Sequence, residues 1–97
     1  MLFRSDIHTI TDTCVAAELM GKKLVYLEAG SGAKNPVTPQ IIRAVKKRID
    51  IPVAVGGGIR TPGMMQAAYD AGADIVVIGT HFEQHPEEWK EIGRAHV

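Results

Sequence analysis

Three consecutive glycines, Gly56-Gly57-Gly58, and a second small pair, Gly79-Thr80, are the positions best suited to hold an anion in this 97-residue sequence. Without a β-carbon, several backbone N–H groups can approach one phosphate, and the backbone can take the positive φ angles that such a cradle needs. A carboxylate, Glu28, precedes a further glycine-containing loop, Gly30-Ser31-Gly32. That loop is a poor dinucleotide fingerprint, because Asn35 stands where the third glycine of G-x-G-x-x-G belongs. His81 and His85 have the spacing of one helical face, yet no third ligand or zinc pattern accompanies them. Arg60 could meet a phosphate through its planar fork or pair with a surface acid.

The elements that would position these groups follow from the hydrophobic period, which switches repeatedly between helix and strand. The pattern predicts a helix from about Thr11 to Met20, with Val15, Ala16, Leu19 and Met20 as its apolar side and Gly21 at its C-terminal cap. Leu24-Val25-Tyr26-Leu27 reads as a strand apolar on both faces, ending at Glu28. Thr38 and Pro39 open a second helix whose inward stripe is Ile41, Ile42, Val45 and Ile49, with Arg43, Lys46, Lys47 and Arg48 as a solvated face. A strand at Val53-Ala54-Val55, a loop from Gly56 to Arg60, and a helix opened by Thr61-Pro62 and closed by Gly72 repeat the pattern. Met64, Met65, Ala68 and Tyr69 are the core side of that helix. Ile75 to Ile78 form the next strand, and Pro86, Glu87 and Glu88 read as the first turn of a last helix on which Trp89 packs.

Strands alternating with helices are β-α-β units, whose right-handed crossovers make the sheet parallel and bring every strand's C-terminal end to one side. Glu28, Gly56 to Gly58, and Gly79 with Thr80 therefore converge on one rim. Barrel folds keep their active sites there and hold phosphate in the loops after the last strands. Eleven basic against eleven acidic residues give a net charge of zero, which argues against nucleic acid as a partner. The lone Cys14 cannot form an internal disulfide, no signal peptide is recognisable, and no apolar run reaches the ~20 residues of a membrane span. A cytoplasmic protein with at most peripheral membrane contact is expected.

Tyr26-Leu27-Glu28-Ala29-Gly30-Ser31-Gly32-Ala33, then Gly56-Gly57-Gly58-Ile59-Arg60, then Gly79-Thr80 resemble, in order and spacing, the successive motifs of geranylgeranylglyceryl phosphate synthases. The resemblance covers roughly residues 13–90 and rests most on the first motif, because the other two recur in many phosphate-binding barrels. It implies an α/β fold, the C-terminal β/α units of a TIM (β/α)8 barrel with parallel strands. It also implies a prenyltransferase that moves a geranylgeranyl group from geranylgeranyl diphosphate to sn-glycerol 1-phosphate, an ether-forming step in archaeal-type membrane phospholipid biosynthesis. Mg2+ would assist by neutralising the departing diphosphate. By the same resemblance Tyr26, Leu27, Glu28, Ala29, Gly30, Ser31, Gly32, Gly57, Gly58, Gly79 and Thr80 hold sn-glycerol 1-phosphate. Glu28 would orient or deprotonate the attacking hydroxyl, a role that suits a carboxylate at a strand's end. The intact protein is expected to be a homo-oligomer, as whole family members usually are.

A closed barrel needs roughly 250 residues, so residues 1–90 are expected to be the C-terminal part of a single barrel domain. The early strands, the magnesium ligands and most of the prenyl groove would then lie before Met1, leaving no metal site on this chain and no activity in it alone. Residues 91–97, Glu-Ile-Gly-Arg-Ala-His-Val, break the last helical pattern and resemble a translated sequencing adapter, which makes them a non-native tail by this reading. The alternative is an FMN-binding or other phosphate-binding barrel enzyme, since such enzymes use similar glycine loops. Glu28 inside the first motif weighs against it. An open set of three strands is expected to be poorly stable or to associate through its edges.

Overall fold

Thr38-Pro39 and Thr61-Pro62 each start a helix in the computed structural model, which describes residues 6–29 and 36–78. The Thr38 hydroxyl accepts from the Ile41 N–H at 3.3 Å and the Thr61 hydroxyl from the Met64 N–H at 3.1 Å, so each threonine satisfies a donor that the first turn leaves unpaired. Proline follows each cap, where its missing N–H costs nothing. The described elements run α1 (Asp6–Leu19), β1 (Val25–Glu28), α2 (Pro39–Arg48), β2 (Val53–Gly56), α3 (Pro62–Ala71) and β3 (Ile75–Val77). The helix expected from Pro86, the pair His81 and His85, and residues 91–97 lie outside the described residues.

The strands form a parallel sheet in the order β1-β2-β3, with Val25 opposite Val53, Glu28 opposite Gly56, and Gly56 opposite Val77. Consecutive order with right-handed crossovers puts the connecting helices on one face, as in a barrel wall and unlike a doubly wound sheet. Val25, Leu27, Val53, Val55 and Val76 turn to that face and join Ile42, Val45, Met65 and Tyr69 in the core. The alternate residues, Tyr26-Ala54-Ile75 in one row and Glu28-Gly56-Val77 in the next, point the other way, and none belongs to that core. The architecture is a three-stranded section of a (β/α) barrel, as expected.

Three local expectations need correction. Helix α1 begins earlier than predicted and buries Thr11 and Cys14, with Ile7 and Ile10 beside them, while Leu19 and Met20 are 82% and 72% exposed. The inward stripe therefore ran through a polar residue: the Thr11 hydroxyl donates to the His8 carbonyl and accepts from Arg48 at 3.2 Å. Strand β1 is covered on one face only, with Leu24 and Tyr26 about half exposed. The basic residues of α2 are not all simply solvated either. Arg48 pairs with Asp12 of α1 at 2.7 Å, and Lys46 pairs with Asp74 at 2.9 Å.

These pairs belong to a polar layer at the foot of the sheet, where the strands begin. One oxygen of Asp74 accepts from both the Lys46 ammonium and the Val53 N–H. A Glu18 oxygen accepts from the N–H groups of Asp50 and Ile51, at 2.6 and 3.1 Å, tying the end of α1 to the entry into β2. Cys14 lies in the core beneath, and burial pushes its thiol pKa up.

Gly72 ends α3 in the left-handed region at φ +119, and a β-carbon there would sit 2.9 Å from Lys46 Cγ. Gly21 ends α1 at φ +87 with open space around it. Gly21→Ala should therefore cost only the left-handed strain, about 1–2 kcal/mol. Gly72→Ala should cost more, because the Lys46 stem is held by its bond to Asp74 and resists moving. Thermal unfolding of the two variants checks the order, and equal losses would remove the contact from the account.

Candidate functional site

Period-two alternation sends the side chains of Tyr26 and Glu28 to the same face of β1, and the register sets Ala54 and Gly56 beside them on β2. The Tyr26 hydroxyl donates to the Glu28 carboxylate. Its ring lies over Gly56: a β-carbon at Gly56 would fall 3.1 Å from Tyr26 Cζ, 3.2 Å from Cε1, and closer still to the hydroxyl. The Ala29 N–H donates to the Gly56 carbonyl at 3.0 Å, which holds the ends of β1 and β2 together.

Beyond Gly56 the chain turns through Gly57 at φ +86 and Gly58 at φ +75, backbone conformations that only glycine adopts readily. Among the described residues, neither donates its N–H to a turn or loop carbonyl. Arg60 folds back to donate to the Gly58 carbonyl at 3.4 Å. Helix α3 follows at once, so its positive end faces the same rim. The rim thus combines a carboxylate, a phenol, a positive-φ glycine turn and a helix N-terminus, a set able to hold a phosphorylated alcohol and accept a proton from it.

Of the residues expected to hold substrate, Tyr26, Glu28, Gly57 and Gly58 come together here. Leu27 and Ala29 lie between them in sequence, but Leu27 is a core side chain and Ala29 packs against the core, so only their backbones can face the rim. Gly30, Ser31, Gly32, Gly79 and Thr80 lie outside the described residues. Among the described residues no three His, Cys, Asp or Glu side chains group to hold a metal ion.

The bond to Glu28, followed by burial and the negative charge of Glu28, pushes the Tyr26 phenol up to about 12 from its usual value near 10. The phenol stays protonated, and stays a donor, throughout the neutral range. Because the folded value exceeds the unfolded one, this contact stabilises fully below pH ~10, and its contribution is lost as pH rises toward about 12. Titration of 13C-labelled tyrosine by NMR should place the Tyr26 midpoint near 12, and Glu28→Ala, which removes both the acceptor and its charge, should bring it back toward about 10. A midpoint near 10 in the unaltered chain would show that the two groups are not bonded.

Residues 4–95 match the PcrB family. The chain belongs to that family. Among its relatives is a geranylgeranylglyceryl phosphate synthase of Zunongwangia profunda, 52% identical over 80 residues, which are 82% of this PcrB-family chain and 34% of the relative. Another, of Thermococcus kodakarensis, is 56% identical over 70 residues, 72% of this chain and 28% of the relative. The chain thus spans about a third of the length of the curated relatives it matches. A crystal structure of (S)-3-O-geranylgeranylglyceryl phosphate synthase from Thermoplasma acidophilum, in complex with sn-glycerol-1-phosphate, superposes with a TM-score of 0.81 at 43% identity. That match covers 93% of this PcrB-family chain and 36% of the other.

Proposed function

We propose that this chain provides the sn-glycerol 1-phosphate side of a geranylgeranylglyceryl phosphate synthase. The observation that carries the reading is the likeness, over nearly the whole chain, to an enzyme solved with sn-glycerol-1-phosphate, together with a rim suited to that ligand. In this reading the phosphate lies against the backbone N–H groups of Gly57 and Gly58, joined by Gly30, Ser31, Gly32, Gly79 and Thr80. Glu28 receives the proton of the glycerol hydroxyl as its oxygen bonds to the first carbon of the geranylgeranyl group and the bond from that carbon to diphosphate breaks. Tyr26, by donating to Glu28, fixes the direction of the carboxylate.

Magnesium belongs to the proposal as the ion that neutralises the diphosphate, but the described residues supply no ligand set for it, and no step above runs through it. The whole enzyme is proposed to be a cytoplasmic homo-oligomer. None of the described helices is long and apolar enough to cross a membrane.

The test is mass spectrometry of a protein that carries this chain within the full length of its relatives, supplied with both substrates and Mg2+. A magnesium-dependent prenyl ether product supports the reading. A folded, inactive and yellow protein would move the assignment to a flavin-binding barrel.

A further inference from the structure

The three consecutive glycines do not share one task. Gly57 and Gly58 have positive φ, as a turn requires, but Gly56 does not. Gly56 is the last residue of β2, paired with Glu28 on one side and Val77 on the other, in a backbone conformation open to any residue. Its need for glycine is one of space: the place where its β-carbon would stand is taken by the Tyr26 ring and hydroxyl. We propose that Gly56 is a positioning residue, whose missing side chain forms the seat on which the Tyr26 ring lies so that its hydroxyl reaches Glu28. This rests on the proposed role of Glu28 for its functional meaning, though not for its geometry.

The argument turns on which atoms must yield. Tyr26 springs from the position opposite Ala54, and its ring extends along the sheet toward the neighbour of Glu28. Tyr26 is about half exposed, so the ring has somewhere to go if the seat is filled. The β2 backbone is held between two strands and does not. A methyl group at Gly56 would therefore displace the ring and leave the strands in place. Glu28 would lose its phenol donor, and the carboxylate at the rim would lose its fixed direction. The raised phenol pKa agrees with a close bond in the seated state.

The experiment follows Tyr26 in the 97-residue chain by 13C-tyrosine NMR, comparing the unaltered chain with Gly56→Ala. The Tyr26 midpoint is expected to fall from about 12 toward about 10, while the Tyr69 resonance, in the core, stays where it was. An unchanged Tyr26 midpoint in Gly56→Ala overturns the proposal. Thermal unfolding supplies the second arm, in which Gly56→Ala is also made in a Tyr26→Leu background. Leucine is too short to cover the seat, so the loss of melting temperature caused by Gly56→Ala should disappear there. The same loss in both backgrounds, or failure of both Gly56→Ala forms to fold, would mean that Gly56 serves something other than Tyr26. Binding of sn-glycerol 1-phosphate to the full-length protein is measured separately. If the unaltered protein does not bind it, the proposed function fails while the two Tyr26 measurements still judge the seat.

Discussion

Glu28→Gln, made in a protein with the complete barrel, is expected to lower turnover by about 10²–10⁴-fold while leaving the unfolding temperature almost unchanged. Glu28 stands at the end of β1 on the face away from the helices, outside the core, so its charge contributes little to packing. Gln keeps the shape and can still accept the Tyr26 hydrogen bond, but it cannot take up a proton from an alcohol. Turnover measured by mass spectrometry and a thermal melt on the same sample separate the two effects. Undiminished turnover would place the proton acceptor elsewhere. A parallel collapse of stability would make Glu28 a structural residue.

Ile42→Ala is expected to have the opposite signature, a loss of about 2–5 kcal/mol in folding stability. Ile42 is fully buried in α2, the helix that packs against both α1 and α3, so its removal leaves a cavity in the core. Arg43, the next residue, is exposed, and Arg43→Ala should stay within about 0.5 kcal/mol. Urea unfolding of the pair gives the contrast. Similar values for both would mean that the helical layer is not packed as described.

The sequence spelled out some of these elements better than others, for identifiable reasons. Helices α2 and α3 were legible at their starts, and α3 at its end as well, because these signals are local: a Thr-Pro start in each, and a glycine stop in α3. Helix α1 was misread because Thr11 interrupts its buried stripe, and that threonine is tolerated there only through bonds to His8 and to Arg48, 37 residues away. The polar layer at the foot was invisible for the same reason, as Glu18, Lys46 and Asp74 find their partners across the fold. At the rim, residue types pointed to the loops after the strands, and the resemblance pointed to Glu28. The separate task of Gly56 had no signal of its own, since a glycine required for space and one required for φ are the same letter. The helix-free side of β1 was hidden too, because four apolar letters do not say which face is covered.

The double use of Asp74 has a consequence for alignment. Its side chain accepts the Val53 N–H at 2.9 Å, and its own N–H returns to the Val53 carbonyl at 2.8 Å, a reciprocal fit that closes in one register. A slip of β3 by a single residue would turn Val76 out of the core and present the wrong side chain beside Gly56. The carboxylate at the foot is thus the datum from which the rim is measured: phase is set where the strands begin and read about 10 Å later where they end.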